Sequence, residues 1–103
     1  GTFLFVGARP ALQLEDAGST LAYSLSKKLV ITLAEIVGEE TKNTPIRSHV
    51  FVPSIIDTPP NRESMPDADF SKWVRAEEIA EAMHYAVNTH ALRNMTFKLY
   101  GEV

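Results

Sequence analysis

The segment Tyr23-Ser24-Leu25-Ser26-Lys27 lies within a run of residues that predicts a helix. Residues four apart on a helix lie one above the other, so Tyr23 and Lys27 share a face. A cation within about 4–6 Å of a phenol favours the phenolate, which suits the phenol to acid or base chemistry. Y-x-x-x-K is a short pattern, and a half-buried tyrosine beside a solvated lysine also explains it. The surrounding sequence decides between these interpretations.

Strand and helix patterns alternate around this pair. The run Phe3-Leu4-Phe5-Val6 is continuously apolar, as in a strand buried on both faces, and a later strand ends at Pro53. The predicted strands cover residues 1–6, 46–52 and 95–100, and the predicted helices cover residues 21–39 and 77–89. Residues 53–74 form a proline-rich loop with a short helical turn, of a length that is usually functional or mobile.

The order strand, helix, strand, helix, strand indicates an α/β fold. The helices are long enough to cross between parallel strands, and right-handed crossovers then give the β-α-β-α-β half of a doubly wound parallel sheet. Ligands bind outside the carboxyl ends of such strands. Gly7-Ala8 and Pro53-Ser54 each follow a strand, and Tyr23 lies early in the first helix. We expect these residues to converge on one edge of the sheet.

Composition excludes several classes of function. An apolar content of 45% indicates a globular chain, while a net charge of −3 with scattered Lys and Arg argues against nucleic-acid binding. There is no cysteine, and the three histidines are too dispersed for a metal site. No apolar run approaches the roughly 20 residues of a membrane helix. We expect a soluble, cytoplasmic protein.

The first residues suggest a longer parent protein. A domain seldom opens on its most buried strand, so we expect residues 1–103 to be the carboxyl-terminal portion of a single domain. The outer edge of the first strand would then lack a partner and favour association.

Ser19 or Thr20 is expected to cap the first helix. The small-residue face Ala22/Ser26/Val30/Ala34 of that helix predicts a close partner.

The arrangement resembles the carboxyl-terminal half of the short-chain dehydrogenase/reductase family. That family combines a strand, a Y-x-x-x-K helix and a second strand ending in Pro-Gly-x-x-x-Thr. The matching elements here are residues 1–6, Tyr23 with Lys27, and Pro53-Ser54-Ile55-Ile56-Asp57-Thr58. The resemblance covers nearly the whole chain and implies a Rossmann fold with NAD or NADP as cofactor.

The resemblance also implies roles for individual residues. Tyr23 is expected to protonate the group that receives hydride, while Lys27 favours its phenolate and holds the nicotinamide ribose hydroxyls. The turn that begins at Pro53 and Ser54 is expected to bind the nicotinamide, with the Ile56 backbone on the carboxamide and Thr58 on the carboxamide or a nearby phosphate. In the family, the tyrosine-bearing helix packs against its twin, which implies a homodimer or homotetramer acting on a small-molecule substrate.

The loop from Asp57 to Trp73 resembles that of quinonoid dihydropteridine reductases, a branch of the family. Those enzymes tend to lack the catalytic serine of their relatives, and Gly7-Ala8-Arg9 occupies its place here. Two departures concern the cofactor. Ser54 replaces the usual glycine, and the glycine-rich phosphate loop is absent from these residues, so NADH and NADPH are not distinguished and the isolated chain is expected to be inactive.

Two other interpretations remain open. The chain could be a non-catalytic fragment or scaffold of the same fold that dimerises through its helices. A flavodoxin-like or response-regulator-like binding domain has the same element order, but no acidic cluster or phosphate loop supports it.

Overall fold

The computed structural model describes residues 1–9 and 21–103. Strands β1, β2, β3, β4 and β5 span Thr2–Val6, Arg47–Pro53, Ile56–Asp57, Val74–Arg75 and Thr96–Leu99. Helices α1, α2 and α3 span Leu21–Glu40, Pro59–Ser64 and Ala76–Asn88, and a short 3-10 helix spans Phe70–Lys72.

The main sheet has the order β1-β2-β5, and both pairings are parallel. Leu4 lies opposite His49 in the first pairing, and Phe51 lies opposite Phe97 in the second. All seven residues of the central strand β2 are buried, as expected for a parallel strand covered on both faces. The predicted β-α-β-α-β order and parallel sheet are confirmed.

The two faces of β2 pack against different helices because successive side chains point to opposite sides. On one face, the Ser48 hydroxyl donates to the Ala34 carbonyl of α1 at 2.8 Å. The core on this side contains Ile31, Ala34, Val50 and Val52. On the other face, Arg47 reaches α3, and Phe51 stacks on Phe97 with ring centroids 4.9 Å apart. The main sheet therefore lies between α1 and α3.

Two arginines bind carbonyls at the helix ends and in the segments that follow them. Helix carboxyl ends leave up to four carbonyls without an intrahelical donor. The buried Arg47 side chain donates to four carbonyls at the end of α3 and beyond, and to the Thr2 hydroxyl; the carbonyls are those of Ala86, Val87, Thr89 and Leu92. Arg93 donates to three carbonyls after α1, those of Thr41, Thr44 and Ile46.

Residues 53–74 contain more regular structure than the predicted loop. The expected helical turn is present as α2, but β3 and β4 also pair in parallel, with Ile56 opposite Val74 and Asp57 opposite Arg75. Strands of two residues are too short to show a period in the sequence, so their pairing was missed.

The predicted small-residue face of α1 was wrong in part. Ala34 is buried against β2 rather than available to a partner. The exposed apolar stripe of α1 consists instead of larger side chains, those of Leu21, Leu25, Leu29, Leu33 and Ile36. The cap predicted at Ser19 or Thr20 lies outside the described residues.

Candidate active site

A cleft opens at the carboxyl ends of β1 and β2. Its walls come from the end of β1, the first turns of α1, the segment that joins β2 to β3, and α2. The side chains and backbone that line it belong to Val6, Gly7, Ala8, Tyr23, Lys27, Pro53, Ser54, Ile55, Ile56, Asn61 and Met65. Five of the six predicted site residues are therefore brought together: Tyr23, Lys27, Pro53, Ser54 and Ile56.

Tyr23 and Lys27 form one wall of this cleft. Tyr23 is 53% exposed and lines the cleft. The Lys27 Nζ lies 5.8 Å from the centre of the Tyr23 ring and donates to the Val6 carbonyl at 3.4 Å. An ammonium has three donors, so two remain for a ligand. The wall presents a phenol and a cation side by side.

The β2–β3 turn, residues 54–55, forms the opposite wall. The Ser54 N–H donates to the Leu99 carbonyl at 3.0 Å, and the Ser54 hydroxyl donates to the Tyr100 carbonyl at 2.7 Å. Among the described residues other than glycine, a positive φ occurs at Asn94 alone. Serine therefore fits this position without the backbone strain that its replacement of glycine suggested.

Residues 58–73 form a lobe between β3 and β4. Two of its residues, Asn61 and Met65, line the cleft. The Asn61 side-chain amide donates to the Ile56 carbonyl at 2.8 Å. Both residues lie within the loop from Asp57 to Trp73, but the sequence pattern assigns them no role, because their proximity to Tyr23 depends on the path of the lobe.

Thr58 is the predicted site residue that does not line the cleft. It caps α2, its hydroxyl accepting a hydrogen bond from the Asn61 N–H at 3.4 Å. It lines a neighbouring cavity with Asp57, Arg62 and Arg75. The hydrogen bonds from Arg62 hold the pKa of the Asp57 carboxyl below its usual range, with donor–acceptor distances of 2.6 and 2.8 Å.

Two further structural features bear on the site. Within residues 1–9 and 21–103, no three side chains of His, Asp or Glu are grouped so as to hold a metal ion. In the same part of the chain, every helix is too short or too polar to cross a bilayer.

Comparison with solved structures identifies the fold. A short-chain type dehydrogenase/reductase from Mycobacterium ulcerans superposes with a TM-score of 0.83 at 16% identity, covering 99% of this chain and 41% of that one. A 4-hydroxyisoleucine dehydrogenase complexed with NADH superposes with a TM-score of 0.77 at 19% identity, covering 98% of this chain and 45% of that one. The fold is that of part of a short-chain dehydrogenase/reductase. The Rossmann-type fold predicted from the sequence is thereby confirmed.

The sequence also matches a curated relative. It is 31% identical over 85 residues to a dihydropteridine reductase of Dictyostelium discoideum, a match that covers 81% of this chain and 36% of the relative. The matched part thus spans about a third of that relative's length. No family model matches the sequence. The predicted resemblance to short-chain dehydrogenase/reductases, with a likeness to dihydropteridine reductase, is confirmed.

Proposed function

We propose that this chain is the carboxyl-terminal part of an NAD(P)H-dependent oxidoreductase of the short-chain type. The observation that carries the proposal is the cleft in which Tyr23 and Lys27 face the β2–β3 turn. Similarity in fold to a dehydrogenase solved with NADH supports the choice of cofactor. A cytoplasmic location stays a prediction from composition.

The residues of the cleft fit such a cofactor. A bound NAD(P)H supplies the hydride. Lys27 has two free donors for the ribose hydroxyls, and the Tyr23 phenol lies on the same wall of the cleft as the proposed proton donor. Val74 donates to the Ile55 carbonyl at 3.0 Å, so the N–H and C=O of Ile56 point to the opposite edge of β3. The Ile56 N–H is therefore available to a carboxamide oxygen.

The proposed substrate is a quinonoid dihydropterin. The segment that follows β1 offers no hydroxyl at Gly7 or Ala8, and a Cβ on Gly7 would lie 3.1 Å from the Ile31 side chain. Without a donor there to polarise a ketone, a substrate that is already electrophilic is favoured. The name of the curated relative, a dihydropteridine reductase, supports the same choice.

The first experiment is reduction of quinonoid dihydropterin by NADH in the whole protein with Tyr23→Phe. Removal of a general acid lowers kcat by about 10²- to 10⁴-fold. Tyr85→Phe is the matched control, because Tyr85 is exposed on α3 and lies outside the cleft. Turnover at the wild-type rate in Tyr23→Phe would remove this residue from the mechanism.

Cofactor binding gives a second, independent measurement. Trp73 is the single tryptophan and lies buried at the end of the lobe, so energy transfer from it to reduced nicotinamide reports NADH binding. We expect saturable quenching in the wild type and weaker binding in Lys27→Met, which loses the ribose donors. Equal affinity in the two proteins would argue against Lys27 as a cofactor ligand.

The apolar stripe of α1 supports assembly with a second copy. Its five side chains are 49–70% exposed and follow one face for about 22 Å, from Leu21 to Ile36. Lys28 precedes the middle of the stripe and Glu35 follows it on the same flank. In an antiparallel pair of α1 helices whose two-fold axis passes near residues 31 and 32, Lys28 would lie beside Glu35 of the other copy.

Light scattering tests this assembly. We expect a dimer or tetramer in the wild type and a monomer in Leu29→Glu, because a charge would be buried in the contact. Lys28→Glu should weaken association and Glu35→Lys should restore it in the double variant. A wild-type mass equal to one chain would contradict the assembly.

The second candidate function is a non-catalytic scaffold of the same fold. The exposed α1 stripe favours it, since a scaffold needs an association surface but no cofactor. An oligomeric wild-type protein that binds no NADH would select the scaffold over the enzyme.

A further inference from the structure

The turn after β5, residues 100–102, contacts the β2–β3 turn at one end. Ser54 contacts the end of β5 and the start of this turn: its N–H donates to the Leu99 carbonyl at 3.0 Å, and its hydroxyl donates to the Tyr100 carbonyl at 2.7 Å. The first bond continues the pairing of β2 with β5, in which Pro53 lies opposite Leu99. The second bond extends beyond the sheet and depends on the serine side chain.

The other end of the same turn contacts the lobe. The Glu102 N–H donates to the Lys72 carbonyl at 2.9 Å. Gly101 makes this approach possible: its φ is +62°, and a Cβ there would lie 2.5 Å from the Lys72 carbonyl oxygen. Glycine adopts this conformation at no steric cost, and only glycine leaves the space for the contact.

These contacts form a closed ring that includes the β2–β3 turn, which is one wall of the proposed nicotinamide site. From Lys72 the chain passes through the buried Trp73 to Val74, whose N–H donates to the Ile55 carbonyl at 3.0 Å. Ser54 and Ile55 are adjacent residues, so the β2–β3 turn is held by β5 on one side and by β4 on the other. Residues 100–102 join these two supports.

We propose that Ser54 is a positioning residue that sets the orientation of the β2–β3 turn through the Tyr100 carbonyl, with Gly101 as its counterpart at the lobe. This role rests on the proposed function, since the turn presents Ile56 to the cofactor. Glycine, the usual residue of the family at this position, has no side chain with which to make this hydrogen bond. Loss of the hydroxyl therefore loosens the lobe and the cofactor site together.

Amide hydrogen exchange tests the coupling without any cofactor. In Ser54→Ala, loss of one hydrogen bond should speed exchange about fivefold at Glu102 and Val74, which lie beyond the substituted residue. Ser54→Thr keeps a hydroxyl and should restore wild-type exchange. Faster exchange confined to Ser54 itself would overturn the coupling.

Steady-state kinetics of the whole protein test the consequence for the site. Ser54→Ala should raise the KM for NADH about fivefold with kcat within about twofold, since the proton donor is untouched. Gly101→Ala should act in the same direction from the other end of the ring. Ser64→Ala is the matched control, because it removes an exposed hydroxyl of α2 that lies outside the cleft.

The outcomes separate this proposal from the proposed function. A wild-type protein that binds no NADH overturns both the enzyme assignment and the role of Ser54 in it. A wild-type protein that binds NADH, with an unchanged KM in Ser54→Ala, overturns the positioning role alone. A lower melting temperature without a change in KM indicates a purely structural hydroxyl and likewise overturns it.

Discussion

Replacement of Arg47 by methionine should be among the most destabilising single changes in this chain. The guanidinium is buried and donates to four carbonyls and one hydroxyl. Methionine fills much of the volume but leaves those carbonyls without a donor. The hydrogen bond to the Ala86 carbonyl is buried, so leaving this carbonyl unpaired should lower the free energy of unfolding by about 2 kcal/mol. The bonds to the Val87, Thr89 and Leu92 carbonyls are partly buried, so water can replace the lost donor there. The expected loss is about 3 kcal/mol.

Urea denaturation followed by Trp73 fluorescence measures this loss. For a domain of this size, about 3 kcal/mol corresponds to a melting temperature lower by about 12 °C or more. Arg47→Lys keeps the positive charge but loses the planar guanidinium and its several N–H donors. Its free energy of unfolding should therefore fall by about half as much as that of Arg47→Met. Glu81→Gln, at an exposed position of α3, is the control and should remain within about 0.5 kcal/mol.

The outcome for Arg47 also separates stability from function. Arg47 lies at the amino end of β2, whereas the cleft lies at its carboxyl end. The folded Arg47→Met protein should therefore bind NADH as the wild type does. A free energy of unfolding within 1 kcal/mol of the wild type would refute the reasoning, since water would then satisfy the end of α3 as well as arginine does.

Three further predictions follow from described contacts. Burial lowers the pKa of His49, and the charges of Arg47 and Arg93 lower it further. Below pH about 6.5 the unfolded chain therefore binds more protons than the folded chain, so the free energy of unfolding should be full above that pH and fall below it. Urea midpoints measured against pH should lack this dependence in His49→Gln. Arg62 binds Asp57 and lies 4.6 Å from the centre of the Phe70 ring, so Arg62→Met should speed proteolysis within the lobe, and an unchanged cleavage rate would count against this anchor. A Cβ on Gly38 would clash with the Asn94 side chain, so calorimetry should show Gly38→Ala to melt at a lower temperature despite the better helix propensity of alanine.

The fold could be predicted from sequence because its determinants are local. The apolar run before Gly7, the strand ending at Pro53 and the helical periods between them each carry their own signal, and the crossover rule then orders the sheet. The pairing of Ile56 with Val74 joins residues 18 apart in sequence. No local sequence pattern indicates this pairing, because each of the two strands has only two residues. The exposed face of α1 was misassigned because periodicity shows two apolar faces without showing which one the sheet covers.

The candidate site could be predicted in part for the same reason. Tyr23, Lys27 and the segment from Pro53 to Ile56 are fixed by strand ends and a helix face, which the sequence pattern locates. Asn61 and Met65 reach the cleft only through the path of the lobe, so their proximity to Tyr23 depends on tertiary structure.

The pairing of β3 with β4 makes the lobe a replaceable module. The chain leaves and re-enters the body of the protein on neighbouring strands, which lie about 4.8 Å apart in a sheet. Because the pairing of β3 with β4 holds the two ends of residues 58–73 close together, the length and composition of this segment have little influence on the register of the main sheet. Doubling its length would add only about 0.6 kcal/mol of loop-closure entropy. Under the proposed function, exchange of this segment between related proteins should change the substrate preference while β1, β2 and α1 keep their places.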